Sequence, residues 1–375
     1  MLKAGGLAMA TGLAGCSGGP GPGSSDGGDG DGGDGGGSTT TTATTQGTPS
    51  KPEKITVRAW GGAWQESLDQ YVSQPFTEET GIAVEYDNTS DAKMQGKIRT
   101  AINQDREPPV NVQWSTTPLS YRAFTSDLTA PVDPEVAPNI ETLLPAAKPD
   151  TDVEWPLVGL YSYAYPLSYR TDEFDSPPTS WGDLWGDQFE SSVGLYSRGD
   201  GFTPIVAQLT DATLPDQMDP VWEKYRALKP NVAMIGLDSK LTQGLRTGEI
   251  SAVCMLTANT YTLKNDGAKV DWTVPEEGAV AKTDAMWTPK NQSDGHRYWA
   301  QKYIDVAASA SAQVPWADGL GVAPLNGEAE VPDYMQGDPA FPTSESDFEQ
   351  LIQLDPKVYV EYGPEWESEF KKIFA

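Results

Sequence analysis

The stretch that decides the fold is ITVRAWGGAWQESLDQYVSQPFTEETGIAVEY, residues 55–86. Residues 55–60 predict a strand, and residues 66–80 have the mixed polar and apolar spacing of a helix. Gly81 stands where a C-cap glycine is expected, and a second strand over 82–86 follows at once. Strand, helix and strand joined by short connections predict two parallel neighbours in an α/β sheet.

The same alternation continues toward the C-terminus. A helix over 91–104 and a strand over 110–114 complete the first run, and a strand over 193–197 opens a second one. The later predicted elements are helices at 219–228, 241–247, 297–310 and 365–373 and strands at 250–255 and 270–274. Pro177-Pro178 before Ser180-Trp181 indicates a further helix start. This layout predicts two α/β halves with a ligand cleft between them, because open α/β sheets bind at the carboxyl ends of their strands.

The composition excludes several classes of function. The chain has 375 residues, of which 54 are acidic and 26 are Lys or Arg, so its formal net charge is −28. Such a charge would be repelled by nucleic acid and by an anionic membrane surface. Residues 1–50 contain four Asp and one Lys, so −25 of this charge lies in residues 51–375. A salt-rich medium would explain so acidic a body, and an acidic protein without that adaptation is the alternative.

Histidine and cysteine are too rare for most catalytic or metal chemistry. The single histidine is His296, and the two cysteines are Cys16 and Cys254. These counts exclude a disulfide framework, a Cys/His zinc site within one chain and any mechanism that needs two histidines. We therefore expect no metal, no cofactor and no catalysis.

The N-terminal region predicts export. Residues 1–16 form a short apolar run that ends in Leu13-Ala14-Gly15-Cys16, which looks like a lipobox in which Cys16 is lipidated. The alternative is that Cys16 is a free thiol in a tail. Residues 17–50 are rich in Gly, Asp and Thr and predict a disordered tether. We expect a membrane-anchored protein on the outer face of the cytoplasmic membrane.

Four strings along the body carry a family resemblance. They are Trp60-Gly61-Gly62-Ala63-Trp64 with Glu79-Thr80-Gly81-Ile82, Pro177–Trp185, Gly248-Glu249-Ile250 with Val274–Gly278, and Gly321–Asn326. In this order they resemble the spermidine/putrescine-type solute-binding proteins of ABC importers, here in the form of a haloarchaeal lipoprotein. The resemblance implies an α/β, two-lobed type II periplasmic-binding-protein fold, with a ligand cleft between the lobes and two crossover strands.

The resemblance also implies a domain division and partners. Lobe one would comprise residues 52–160 plus 285–325, and lobe two residues 161–284 plus 326–375. The protein would act as a monomer that passes a small-molecule solute to ABC permease and ATPase subunits.

The ligand-binding residues are carried over from the same family. In polyamine-binding relatives a diamine lies between aromatic faces, and carboxylates hold its ammonium ends. Trp60 matches the first-loop tryptophan, and Asp284 matches the carboxylate that follows the Val-Pro-x-Glu-Gly motif. Trp114 and Trp287 are also predicted in loops near the cleft. The full predicted binding set is Trp60, Gly61, Gly62, Trp64, Ser115, Thr117, Tyr163, Arg198, Leu256, Lys282, Asp284 and Tyr359.

Three positions depart from the polyamine pattern. Arg198 aligns with an acidic residue of the relatives, and Lys282 and Leu256 align with tryptophans. Positive charge at Arg198 and Lys282 would repel a dication, so we interpret the pair as a clamp for a carboxylate or phosphonate. The alternative is that Arg198 pairs with Asp200 or another acid, and Lys282 with Glu276 or Glu277, which leaves no cationic cleft.

The sequence therefore predicts the binding protein of an ABC importer for a polyamine-like, zwitterionic or anionic organic solute. True spermidine/putrescine binding is one alternative. A secreted acidic hydrolase and a sensor that does not transport are alternatives of other classes.

Overall fold

Strands and helices alternate around two β-sheets in the computed structural model, which describes residues 48–199 and 201–375. The predicted signal with Cys16, almost all of the tether, and Asp200 with its predicted pairing lie outside the described residues. The strands are β1 (Lys54–Arg58), β2 (Ala83–Asp87), β3 (Val112–Thr116), β4 (Thr129–Ala130), β5 (Val158–Tyr165), β6 (Leu167–Arg170), β7 (Val193–Tyr196), β8 (Val232–Gly236), β9 (Ala252–Cys254), β10 (Val270–Thr273), β11 (Val280–Pro289) and β12 (Ala323–Pro324).

Twelve α-helices are present in the same residues. They are α1 (Gly62–Leu68), α2 (Gln74–Thr80), α3 (Asp91–Asn103), α4 (Thr117–Thr125), α5 (Thr203–Leu209), α6 (Met218–Leu228), α7 (Asp238–Thr247), α8 (Thr257–Asn265), α9 (Asp294–Ala308), α10 (Ala310–Leu320), α11 (Glu345–Glu349) and α12 (Pro356–Phe374). A π-helical segment, Asp69–Ser73, joins α1 to α2. No helix within the described residues is both long and apolar enough to span a membrane.

The first sheet has seven strands in the order β12-β5-β11-β3-β1-β2, and β4 pairs with β11. β1 is parallel to both β2 and β3, which confirms the prediction from residues 55–86. Gly81 ends α2 in the left-handed conformation, with φ 75°, as the C-cap prediction requires. β11 is antiparallel to β3 and to β5, so the sheet is mixed.

The second sheet has five strands in the order β10-β6-β9-β7-β8. β7 is parallel to β8 and β9, whereas β6 pairs antiparallel with β9 and β10. At the predicted helix start, Ser180 caps a 3₁₀ turn over Trp181–Trp185 in a reciprocal capping box with Asp183.

The chain crosses between the sheets at two points. Only Pro166 separates β5 from β6, whereas residues 274–279 separate β10 from β11. Residues 161–165 and 280–284, which the predicted boundaries assign to lobe two, are hydrogen-bonded into the first sheet.

Each sheet has its own hydrophobic core. Trp114 belongs to the core of the first sheet. Trp287 is fully buried with Met94 and Ile98 between β11 and α3. The prediction that Trp114 and Trp287 lie in loops is wrong, because β3 and β11 are central strands with both faces covered. The core of the second sheet includes Trp366 of α12, and α12 also packs on α4 beside the first sheet.

Candidate ligand-binding site

A glycine turn at the end of β1 sets the position of the first tryptophan. Gly61 has φ 86° and ψ −177°, a conformation that is open to glycine almost alone, and α1 begins at Gly62. The chain therefore reverses sharply between Trp60 and Trp64. Their ring centroids lie 6.3 Å apart in an edge-to-face arrangement.

Five rings form an aromatic cluster, which consists of Trp60, Trp64, Trp114, Tyr161 and Trp316. The centroid of Trp60 lies 4.4 Å from that of Trp114, and the centroid of Trp64 lies 5.9 Å from that of Tyr161. Trp114, Tyr161 and Trp316 are fully buried, whereas Trp60 and Trp64 are half-buried. The three inner rings thus support two outer rings that retain accessible surface.

Asp284 lies beside this cluster on β11, and only 4% of the residue is exposed. Tyr161 donates a hydrogen bond of 2.7 Å to Oδ2, and Tyr163 donates one of 2.9 Å to Oδ1. A register shift in the β5–β11 pairing, between Asp284 and Ala285, brings Tyr161 directly opposite Asp284. A carboxylate offers about four acceptor sites, so two bonds leave capacity for a ligand donor.

Burial raises the pKa of Asp284 to about 6, and the charge of Asp91 also raises it. The hydrogen bonds from Tyr161 and Tyr163 and the charge of Lys282 act in the opposite direction. Burial together with Asp284 raises the pKa of both tyrosines well above its ordinary value, so both hydroxyls donate as neutral groups.

Lys282 lies two residues before Asp284 on the same face of β11. Its Nζ is 4.8 Å from the ring centroid of Tyr165 and 5.6 Å from that of Tyr359. Glu277, one of the acids considered as its partner, accepts hydrogen bonds from Ser180 Oγ and Trp181 N.

Two cavities adjoin at Tyr359 and Pro118, which line both. The larger, about 400 Å³, is lined by Thr117 and Lys282 together with residues 144–150 and the start of α12. The smaller, about 160 Å³, is lined by Arg198 with α4 and α12. Lys282 and Arg198 therefore border neighbouring cavities rather than one.

The remaining residues of the predicted set lie outside the aromatic cluster. Ser115 is fully buried, and its Oγ is 3.0 Å from that of Ser120. Thr117 Oγ1 is 2.5 Å from Thr283 Oγ1, so it is engaged at the start of α4. Leu256 is half-buried at the N-cap of α8.

Sequence reasoning missed several residues of the site. Tyr161 was available from the Tyr161-x-Tyr163-x-Tyr165 alternation, which places three rings on one strand face. Arg58 could have been identified because it is the one charged residue of the predicted strand over 55–60. Arg122 lines the smaller cavity with Arg198, and nothing local in the sequence indicates this. Among the described residues no three His, Cys, Asp or Glu side chains group as metal ligands.

Comparison with known proteins gives one family and one curated relative. The family described as bacterial extracellular solute-binding protein matches residues 72–343. The spermidine/putrescine-binding periplasmic protein 1 of Haemophilus influenzae is 23% identical over 290 residues, which cover 74% of this chain and 78% of the relative.

Solved structures share the fold. A spermidine/putrescine ABC transporter substrate-binding protein of Streptococcus pneumoniae matches with a TM-score of 0.70 and 19% identity, covering 86% of this chain and all of that one. A GABA receptor matches with a TM-score of 0.71 and 20% identity, covering 86% of this chain and 98% of that one. With the two mixed sheets, these matches confirm the predicted type II periplasmic-binding-protein fold.

Proposed function

The chain belongs to the bacterial extracellular solute-binding proteins, and from that premise we propose that it captures a small zwitterionic solute for an ABC importer. The solute would carry an ammonium group at one end and a carboxylate at the other. The protein would bind and deliver this solute without changing it chemically.

The observation that carries the proposal is the environment of Asp284. A buried carboxylate with unused acceptor capacity, next to two half-buried tryptophans, suits an ammonium group, because the carboxylate neutralises it and the ring faces attract it. Lys282, on the same strand face, is the candidate for the carboxylate end. The two charges of the site then match the two charges of a zwitterion.

A simple diamine suits these residues less well. At 4 Å and an effective dielectric of about 20, one like-charge contact costs about 4 kcal/mol, which would abolish useful affinity. Lys282 and Arg198 replace an aromatic and an acidic residue of the polyamine-type pattern, so a second ammonium would meet a cation there. The GABA receptor among the structural neighbours has a ligand of the zwitterionic class.

Transport and location follow from the family and from the N-terminal sequence. We propose that Cys16 carries the lipid, that residues 17–50 act as a tether, and that the monomeric body presents its solute to a permease and its ATPase. A protein that signals rather than transports could have the same body. Genes for a permease and an ATPase beside the gene of this protein would decide for transport.

Isothermal titration calorimetry with 4-aminobutyrate, putrescine, spermidine and glutarate tests the ligand class. We expect 4-aminobutyrate to bind tightest, since it alone satisfies both charges. Micromolar binding of putrescine or spermidine without any binding of 4-aminobutyrate would overturn the proposal.

True polyamine binding remains the second candidate, because the curated relative is a spermidine/putrescine-binding protein. The double substitution Lys282→Trp with Arg198→Asp restores the residue types of the polyamine pattern. We expect it to strengthen putrescine binding and weaken 4-aminobutyrate binding. If the double variant keeps the ligand preference of the parent protein, neither Lys282 nor Arg198 belongs to the ligand-binding site.

A further inference from the structure

Arg58, the last residue of β1, has a side chain of which only 3% is exposed. Its Nη2 lies 3.0 Å from Asp91 Oδ2, its Nη1 donates to the carbonyl of Trp114 at 2.7 Å, and its Nε donates to the carbonyl of Thr89 at 3.0 Å. One guanidinium thus joins the end of β1 to β3, to the loop after β2 and to the start of α3. A lysine could not make these three contacts from one position.

The same guanidinium lies against the aromatic cluster. Its central carbon is 5.2 Å from the ring centroid of Trp60, two residues further along the chain. Trp60 therefore has Arg58 and Trp114 as neighbours, and Arg58 is bonded to the backbone of Trp114. Moving Arg58 would remove one contact of the half-buried ring and leave those with Trp64 and Trp114.

Asp91, the partner of Arg58, is held in place as well. Gln113 Nε2 donates to Asp91 Oδ1 at 2.9 Å, and Asp91 is 8% exposed. Charges enclosed in this way act over longer distances than solvated ones, because little water screens them. The charge of Asp284 acts on Arg58, and the charge of Asp91 acts on Asp284.

We propose that Arg58 is a positioning residue of the ligand-binding site, which orients the ring of Trp60 and, with Asp91, forms a buried ion pair beside Asp284. Neither residue contacts the solute in this arrangement. The inference rests on the proposed function only in taking Trp60 and Asp284 as the ligand-binding groups.

The electrostatic part has a sign that distinguishes it from simple structural support. The charged and titratable groups that face Asp284 are Tyr161 and Tyr163 of β5, Lys282 of β11, Arg58 of β1 and Asp91 of α3. Loss of the positive charge at Arg58 raises the pKa of Asp284, and loss of the negative charge at Asp91 lowers it. If the pair acted only through structure, the two substitutions would not shift the pKa of Asp284 in opposite directions, because each of them breaks the same contact between Arg58 and Asp91.

The test follows the Asp284 carboxyl group by ¹³C NMR pH titration of the full chain without any solute, with the signal assigned by Asp284→Asn. We expect Arg58→Gln to shift the Asp284 midpoint up and Asp91→Asn to shift it down. Arg58→Lys keeps the charge and should leave the midpoint near that of the parent protein. Shifts of the same sign in Arg58→Gln and Asp91→Asn, or no shift, would overturn the electrostatic role.

Near-ultraviolet circular dichroism tests the orientation of Trp60. We expect the difference spectrum of Arg58→Lys to have the band shape of Trp60→Leu, since lysine cannot keep all three contacts. A buried charge without its partner can prevent folding, so the double variant Arg58→Met with Asp91→Leu, which buries no charge, is the second subject. A folded double variant whose tryptophan bands equal those of the parent would overturn the positioning role.

Arg170 supplies the matched control in the second sheet. Its side chain is 13% exposed, it donates to the carbonyls of Leu245 and Arg246, and it pairs with Asp172 and Glu173. Arg170→Gln removes a comparable guanidinium far from the aromatic cluster. We expect it to change neither the Asp284 midpoint nor the Trp60 bands, and a change in both would contradict a role specific to Arg58. Because no readout needs a solute, these results stand apart from the titrations of the proposed function.

Discussion

Two regions of the candidate site are built in different ways. The enclosed region, which consists of Asp284, Tyr163 and the aromatic cluster, draws its residues from the first sheet, the turn after β1 and the helices packed on that sheet. The rim region, which consists of Lys282, Tyr165, Arg198 and Tyr359, combines the crossover strands with the second sheet and α12. The enclosed region is therefore complete within one sheet, whereas the rim region depends on how the parts of the chain meet. We expect affinity for the ammonium end to come from the first region and discrimination at the other end from the second.

The largest expected effect is at Asp284. Asp284→Asn removes the buried charge that would neutralise an ammonium group, and we expect at least about a hundredfold weaker binding of 4-aminobutyrate by calorimetry. Asp305→Asn is the matched control, because Asp305 is equally enclosed, at 7% exposed, on α9 away from the site. Equal loss in both variants would mean that the enclosed region is not where affinity resides.

The same substitution should affect stability in the opposite direction. The folded pKa of Asp284, about 6, lies above its ordinary value of 3.8, so the native state holds the proton more tightly than the unfolded state between these values. The contribution of Asp284 to the free energy of unfolding therefore falls by about 3 kcal/mol in total as the pH rises from well below 3.8 to well above 6, and about 2 kcal/mol of this lies above pH 4.5. Asn keeps one acceptor oxygen in place of two, so one tyrosine loses its partner, which costs about 1 kcal/mol at either pH and leaves the pH dependence unchanged.

Urea unfolding at pH 4.5 and pH 7.5 measures this effect. We expect Asp284→Asn to gain about 2 kcal/mol over the parent on going to the higher pH. A constant difference between the two proteins at both pH values would show that Asp284 is not destabilised by burial.

A smaller effect is expected in the rim region at Lys282. Lys282→Ala should weaken 4-aminobutyrate about tenfold and leave the binding of a simple alkylamine unchanged or stronger. Lys264→Ala is the matched control: its Nζ lies 4.8 Å from the ring centroid of Trp272, the same geometry as Lys282 over Tyr165, but in the second sheet. Equal weakening of both solutes would assign Lys282 to the enclosed region instead.

The smallest effect is expected at Tyr359. Tyr359→Phe removes one hydroxyl where the two cavities adjoin, and about a twofold to fivefold loss in affinity is expected. Tyr362→Phe, one turn further along α12, is the control and should bind as the parent does. A larger loss at Tyr359 than at Lys282 would reverse the order of the two rim residues.

The parts of the fold set by local patterns could be predicted. The strand, helix and strand over residues 55–86 and the cap at Gly81 depend on neighbours within a few residues. β5 and β11 were not identified from their patterns, because strands buried on both faces do not alternate and their pairing joins residues more than 100 positions apart. Trp287 was misplaced for the same reason.

The residues of the site also divide into those that local motifs predict and those that depend on contacts between distant parts of the chain. Trp60, Trp64 and Asp284 came from motifs that keep their local geometry. The contact of Tyr161 with Asp284 depends on a register shift between two distant strands, and that of Arg58 with Asp91 on the meeting of β1 and α3. Arg198 and Lys282 were expected to clamp one group, yet they border neighbouring cavities, because loop positions after β7 cannot be read from an alignment alone.

The unequal length of the two crossings has a mechanical consequence. Pro166 alone joins β5 to β6, and its ring locks its own φ, so rotation between the sheets must be absorbed by ψ of Tyr165 and Pro166 and by φ of Leu167. The other crossing, residues 274–279, is longer and is hydrogen-bonded to Thr179, Ser180, Trp181 and Ile352. Rotation between the sheets is therefore most restricted at Pro166, and atoms travel further the more distant they are from it. Tyr165, the neighbour of Pro166, should therefore move least during such a rotation.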